Sequence, residues 1–245
     1  MFTSAWMSAP QERPEASSSP RRGWRPGSRV ARLHANHSYA FVLILIAALF
    51  LVLIAAPQES WALSVVVLLG SALLAVALWA SGLGFAGRTV ALLVIGGIAA
   101  SVQLASGGAT VTGLVWLLDV ALVAGTMVVI AFGVFDQREI NRQSISGAIC
   151  IYLLLGILYT FVYGAVAALQ SGPFFAQGTD GTTAVRVYFS YVTMATVGYG
   201  DYTAATSLGR SLAITESLLG QLYLVTVVAL LVGHFGERKR EREPA

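Results

Sequence analysis

Residues 196–201 read Thr-Val-Gly-Tyr-Gly-Asp, between a short, partly polar segment and the last long apolar stretch of the chain. Gly198 and Gly200 alternate with Val197 and Tyr199. Glycine adopts backbone angles that are closed to most other residues, and the two larger side chains can then point away into surrounding protein. The hexamer therefore predicts a short extended strand with a specialised backbone.

The composition predicts an all-α membrane protein. Of the 245 residues, 56% are hydrophobic and 11% are charged, whereas soluble domains carry about 25% charged residues. Between residues 39 and 135 the only charged side chains are Glu59, Arg88 and Asp119. Six apolar segments reach the roughly 18 residues that a membrane-crossing helix needs. They cover residues 39–56, 61–80, 88–105, 113–135, 146–169 and 208–234.

A seventh segment, residues 184–195, is too short to cross a hydrocarbon core of about 30 Å at 1.5 Å per residue. It leads directly into the hexamer at 196–201, so we expect a re-entrant helix. Non-helical backbone at membrane depth is tolerated only where protein buries it or water fills the space beside it. The hexamer is therefore predicted to line a pore.

Basic residues predict the orientation. If the N-terminus is cytoplasmic and the chain crosses six times, thirteen of the fifteen basic residues lie on the cytoplasmic side, which Lys and Arg favour. Both termini are thus expected in the cytoplasm, with a basic, disordered N-terminal tail. Its arginines are expected to set the topology; contact with membrane lipids, at anionic headgroups, is the alternative. The predicted domains are the tail 1–38, a four-helix block 39–135, an interfacial linker 136–146, a pore domain 147–236 and a charged tail 237–245.

Residues 193–201 carry the pattern T-x-x-T-V-G-Y-G-D, and with their flanking helices they resemble the pore of bacterial potassium channels over about residues 146–236. The resemblance implies a potassium-selective channel of the bacterial cytoplasmic membrane. It implies a homotetramer, because each chain supplies one filter strand. K⁺ would replace its hydration shell with protein oxygen atoms. The implied filter residues are Thr196, through its carbonyl and hydroxyl, the carbonyls of Val197, Gly198 and Tyr199, and then Gly200 and Asp201.

The same resemblance implies side chains that support the filter. Tyr188 and Phe189 occupy the positions of an aromatic pair that would brace Tyr199. Tyr188 would also donate a hydrogen bond to Asp201. Thr193 opens the motif. Val192 stands where some bacterial members have a glutamate, so the Glu–Asp pair of those members cannot form.

Two carboxyl groups fall within predicted spans. Such groups are costly unless they are buried in protein or hydrated. We expect Glu216 to hydrogen-bond Ser190 or Thr193 behind the pore helix and so steady the filter; direct attraction of ions is the alternative. We expect Asp119 to be satisfied by Gln103, by another neutral group or by water.

The last span carries a glycine, Gly220, that either permits bending or serves close helix packing. Residues at intervals of three or four predict one face that lines the cavity and gate, although the same residues suit lipid contact. They are Gln221, Leu224, Val228 and Val232.

The sequence predicts neither a voltage sensor nor a ligand-binding module for gating. Six spans with the pore in the last two is the layout of voltage-gated channels, yet residues 113–135 contain no Arg or Lys. Without charge that moves in the field, voltage cannot drive opening, so we predict weak or absent voltage dependence. Because only ten residues, 236–245, follow the last span, we expect no gating by a ligand-binding module.

Other functions fit less well. A secondary potassium transporter with inverted repeats would interrupt both halves, and an uptake-system subunit carries four filter loops in one chain. A non-conducting regulatory subunit would not need an intact filter. Cys150 is the only cysteine, and the three histidines have no metal-ligand spacing. We therefore expect no enzyme, no nucleic-acid partner, no soluble ligand and no cofactor other than K⁺ as the permeant ion.

Overall fold

In the computed structural model, the described residues are 38–55, 60–80, 95–96, 98, 108–135 and 142–242. Within these ranges the elements are helices, without a strand, and this confirms the all-α prediction there. The helices are α1 (Ser38–Ala55), α2 (Ser60–Ala80), α3 (Ala109–Phe135), α4 (Arg142–Leu169), α5 (Thr183–Met194) and α6 (Ser207–Arg242). Most of the predicted third span, the N-terminal tail and residues 136–141 lie outside the described residues.

Two of these helices contain segments long and apolar enough to cross a membrane, Ala109–Val134 and Ser144–Leu169. The first two helices contribute shorter apolar segments, Phe41–Ala55 and Ser64–Leu78. These segments fit an all-α membrane protein. Six crossings stay a prediction.

Two helix boundaries differ from the predicted ones. Residues 142–146, predicted as part of an interfacial linker, form the first turn of α4, because no Gly or Pro stops the helix there. At the other end of the pore region, α6 runs to Arg242 instead of ending near residue 234. The sequence after Gly236 is Glu-Arg-Lys-Arg-Glu-Arg, and these residues have high helix propensity.

The N-terminal helices pack against α4 and α5. On α1, Val42, Ile46, Leu49 and Leu53 recur every three or four residues and are fully buried. They share one core with residues of α2, α3 and α4, and this core reaches Val187 of α5. A second core of mainly aromatic residues lies beneath the loop between α4 and α5. The two cores hold α5 from both sides.

Candidate ion filter and its supports

The short helix α5 positions the hexamer. It begins at a threonine cap, where the Thr182 side chain accepts a hydrogen bond from the Val185 amide at 3.1 Å. Its twelve residues give a length of about 18 Å, too short to cross a bilayer core. The predicted short helix over 184–195 is therefore present, shifted by one residue.

Backbone hydrogen bonds at the end of α5 fix the turn by which the chain enters the hexamer. The amide of Thr196 donates to the Thr193 carbonyl at 3.0 Å, and the amide of Val197 donates to the Val192 carbonyl at 2.9 Å. Val192 and Thr193, both expected as filter supports, thus contact the hexamer through main-chain oxygens. Their side chains are half-buried.

The hexamer has an alternating backbone. The φ angles are positive at Thr196 (56°), Gly198 (56°) and Gly200 (78°), and negative at the two residues between them. In an ordinary strand successive carbonyls point to opposite sides; alternating left-handed residues undo this and bring successive carbonyls to one side. The sequence predicted special angles for the glycines. It gave no signal for Thr196, since positive φ is uncommon outside glycine.

The hexamer lies open on the single chain. All six residues are exposed, including 71% of Tyr199 and 50% of Val197. Apart from the residues next to them in the chain, no described residue comes within 4 Å of the position that a Cβ would take at Gly198 or Gly200. The described part of the chain therefore leaves these residues uncovered.

Asp201 anchors the C-terminal end of the hexamer. Its carboxylate accepts the Tyr188 hydroxyl at 2.8 Å, which is the hydrogen bond that the resemblance implied. The Tyr188 and Tyr199 rings stack, with centroids 6.3 Å apart and planes within 4°. The side-chain amide of Gln177 donates to the Asp201 carbonyl at 2.7 Å. Sequence reasoning missed Gln177, because nothing local marks a loop residue that folds back over 24 positions.

The brace of Tyr199 by Phe189 stays a prediction, because within the described residues of one chain Phe189 turns to the second core. Its ring packs in the second core, 5.2 Å from Tyr163 and 5.3 Å from Phe175. Successive residues of a helix are about 100° apart, so when Tyr188 faces the filter, Phe189 turns inward.

Glu216 is fully buried behind α5. One of its oxygens lies 2.5 Å from the Ser190 hydroxyl, and the other accepts the Tyr163 hydroxyl, also at 2.5 Å. The Ser190 bond was expected, and Tyr163 was missed. Ser190 also lies 2.7 Å from the Gly156 carbonyl. Three oxygen–oxygen contacts need three protons, and the two hydroxyls supply only two. All three contacts are hydrogen bonds when the Glu216 carboxyl carries the third proton.

Gly220 packs against the end of α5. A Cβ at this position would lie 2.5 Å from Met194 Cγ and 3.0 Å from the Met194 carbonyl oxygen, a geometry that favours close packing over bending. The neighbouring Gln221 donates to the same carbonyl at 3.4 Å. Leu224 is 43% exposed. The side chains of Val228 and Val232 lie outside the described part of the chain.

Asp119 is buried in α3. Among the described residues, neither of its carboxylate oxygens has a hydrogen-bond partner. The expected partner Gln103 lies outside the described residues.

Comparison with known proteins gives two matches. Residues 147–236 match a family model described as "Ion channel". The inward rectifier potassium channel Kirbac3.1 of Paramagnetospirillum magnetotacticum is 30% identical over 104 residues, which are 42% of this chain and 35% of that protein. The chain thus spans about a third of the length of this curated relative. No solved structure gives a significant match.

Together the two matches support the potassium-channel pore-loop class, and the family model covers the residues that carry the hexamer. They point to a membrane ion channel and not to an enzyme, as the sequence predicted.

Proposed function

We propose that this protein is the subunit of a homotetrameric potassium-selective channel of the bacterial cytoplasmic membrane. The observation that carries the proposal is the alternating backbone of Thr196, Gly198 and Gly200 at the end of a helix too short to cross the membrane. K⁺ passes when carbonyl rings from four chains replace its water. The carbonyls are those of Thr196, Val197, Gly198 and Tyr199, and the Thr196 hydroxyl completes the innermost ring.

The exposure of the single chain supports a tetramer. All six residues of the hexamer are exposed, and no described segment covers them. A stripe of large apolar side chains also faces outward along the last helix, at intervals of three or four residues. It consists of Ile214, Leu218, Leu222 and Val225, each at least 58% exposed. We propose that neighbouring copies cover the hexamer and this stripe.

The remaining assignments follow from the same arrangement. Six crossings with both termini in the cytoplasm put the hexamer near the outer face. Tyr188, Asp201 and Glu216 hold the filter, while Gln221, Leu224, Val228 and Val232 line the cavity below it. Since α3 contains no Lys or Arg, we propose that voltage does not gate the channel directly.

The test is potassium flux from liposomes that contain the purified protein. A potassium gradient is expected to drive flux that external barium blocks. Gly198→Ala is expected to abolish the flux, because a left-handed residue other than glycine costs about 1–3 kcal/mol at each of four positions. The control is Gly172→Ala, at a loop glycine with φ of 97° and open space around it. Sodium flux equal to potassium flux in the wild type would contradict the proposal.

A further inference from the structure

A buried cation stands in the first turn of α5. Arg186 is only 8% exposed, and no acidic residue lies in the first turn of its helix. The positive end of a helix dipole disfavours a cation there. Burial makes the charge more costly still. Specific partners must therefore hold this side chain in place.

The loop that precedes α5 provides some of the contacts that fix the Arg186 side chain. One terminal nitrogen of Arg186 donates to the carbonyls of Asp180 and Gly181, at 3.0 and 2.9 Å. The other terminal nitrogen lies 3.3 Å from the Thr183 hydroxyl. The guanidinium thus fastens the start of α5 to the preceding loop. Its Nε is buried and has no hydrogen-bond partner among the described residues.

The remaining hold comes from the N-terminal helices. The Arg186 guanidinium carbon lies 5.3 Å from the centre of the Trp116 ring on α3, within the range of a cation–π contact. Trp116 is itself buried and packs beside Phe161, with ring centres 5.5 Å apart. At Gly164 of α4 a Cβ would lie 2.9 Å from the Trp116 ring. The ring is therefore tightly seated between α3 and α4.

A second N-terminal helix contacts α5 nearer the filter. Phe50 of α1 meets the Tyr191 ring edge to face, with centres 5.2 Å apart. The Tyr191 hydroxyl donates to the Leu153 carbonyl of α4 at 2.7 Å. The pore helix is thus contacted by α3 near its start and by α1 near its end.

We propose that Arg186 is a positioning residue for the ion filter and that Trp116 holds it, so that the N-terminal helices set the position of the pore helix. This inference rests on the proposed channel function. The helix α5 has only twelve residues, and the proposed filter begins directly after its C-terminal end. Loosening its first turn therefore loosens the filter.

The first test measures how strongly the first turn of α5 is stabilised, by hydrogen–deuterium exchange at the Val185–Val187 amides. Trp116→Leu is expected to speed exchange about tenfold, as loss of a buried cation–π contact implies. The matched control is Phe132→Leu, on the same helix but 65% exposed, which is expected to change nothing. Trp116→Phe, which keeps an aromatic face, is expected to give a smaller change of the same sign. Exchange at the wild-type rate in both Trp116 variants would overturn the proposal.

The second test measures the ratio of potassium to sodium flux in liposomes. A general loss of folded protein lowers both fluxes, whereas a misplaced filter lowers their ratio. Arg186→Gln is expected to lower the ratio of potassium to sodium flux several-fold. Adding Trp116→Leu is expected to lower the ratio little further, because the contact between Arg186 and Trp116 is already lost in the single variant. Independent, additive losses, or an unchanged ratio in Arg186→Gln, would overturn the proposal. If the wild-type protein passes no potassium, the channel function fails, and the exchange experiment still decides whether Trp116 holds Arg186.

Discussion

The Tyr163 hydroxyl donates to the Glu216 carboxyl over 2.5 Å, and this bond joins α4 to α6 behind the pore helix. Ser190 on α5 contacts the other carboxyl oxygen at the same distance. One buried carboxyl therefore ties together the three helices around the filter. It is turned toward these hydroxyls and is fully buried, which favours support of the filter over direct attraction of ions.

Glu216→Gln is expected to keep potassium flux and tetramer stability close to wild type. A glutamine amide can donate to Ser190 and accept from Tyr163, so it reproduces a network in which the carboxyl carries a proton. Glu216→Leu leaves the Tyr163 hydroxyl without an acceptor, at a cost of about 1–3 kcal/mol, while Ser190 keeps only the Gly156 carbonyl. We expect it to lower the thermal stability of the tetramer and the flux. If Glu216→Gln loses as much flux as Glu216→Leu, the charge of the carboxylate matters and the ion-attraction alternative is favoured.

Tyr188→Phe is expected to make the conducting state shorter-lived without changing which ion passes. The substitution keeps the ring that stacks on Tyr199 but removes the hydrogen bond to Asp201. A bond of this kind contributes about 0.5–1.5 kcal/mol, so single-channel recordings should show open times roughly 2- to 10-fold shorter. The control is Tyr202→Phe, because the Tyr202 ring contacts Tyr188 but its hydroxyl makes no hydrogen bond within the described ranges. Equal effects of the two variants would contradict the role of the Tyr188–Asp201 bond.

Gly220→Ala is expected to reduce potassium flux by pushing α6 away from the end of α5. The added methyl group would overlap Met194 Cγ and press on the Met194 carbonyl. Adding Met194→Ala removes the side-chain overlap and should restore part of the flux. Gly125→Ala serves as the control, since its Cβ would meet Leu74 at an ordinary 3.7 Å. If Gly220 acts as a bending point, Met194→Ala will restore nothing.

Membrane potential is expected to have little effect on open probability. Moving one charge through the field supplies about 2.3 kcal/mol per 100 mV, and α3 contains no Lys or Arg that could move. Recordings in planar bilayers should give a shallow conductance–voltage curve. A steep curve that flattens when Arg138 and Arg142 are neutralised would overturn this expectation.

Several features were predictable from sequence because each depends on local physical constraints. The apolar segments predicted at 39–56 and 113–135 appear as α1 and α3 within a few residues of those bounds, since the length of the apolar stretch determines such helices. The short α5 was predictable for the same reason. The Tyr188–Asp201 hydrogen bond was implied by the resemblance to bacterial potassium channels and not by local physics. The glycine alternation indicated special backbone angles at Gly198 and Gly200.

The missed features depend on contacts between residues distant in the chain. Tyr163 and Glu216 are separated by 53 positions, and no pattern in either helix marks the pair. Gln177 reaches Asp201 from a loop whose shape depends on three left-handed glycines at 172, 178 and 181. No role was predicted for Arg186 from the sequence. Its place under Trp116 depends on how α3 packs against α4, which periodicity does not predict.

The most direct test of the central claim is the reversal potential of the purified protein in a planar bilayer, with potassium on one side and sodium on the other. A filter built from residues 196–201 of four chains predicts a reversal potential close to that of a membrane permeable only to potassium, and the loss of this current in Gly198→Ala. A reversal potential near zero in the wild type would show that sodium passes as readily as potassium and would contradict the account.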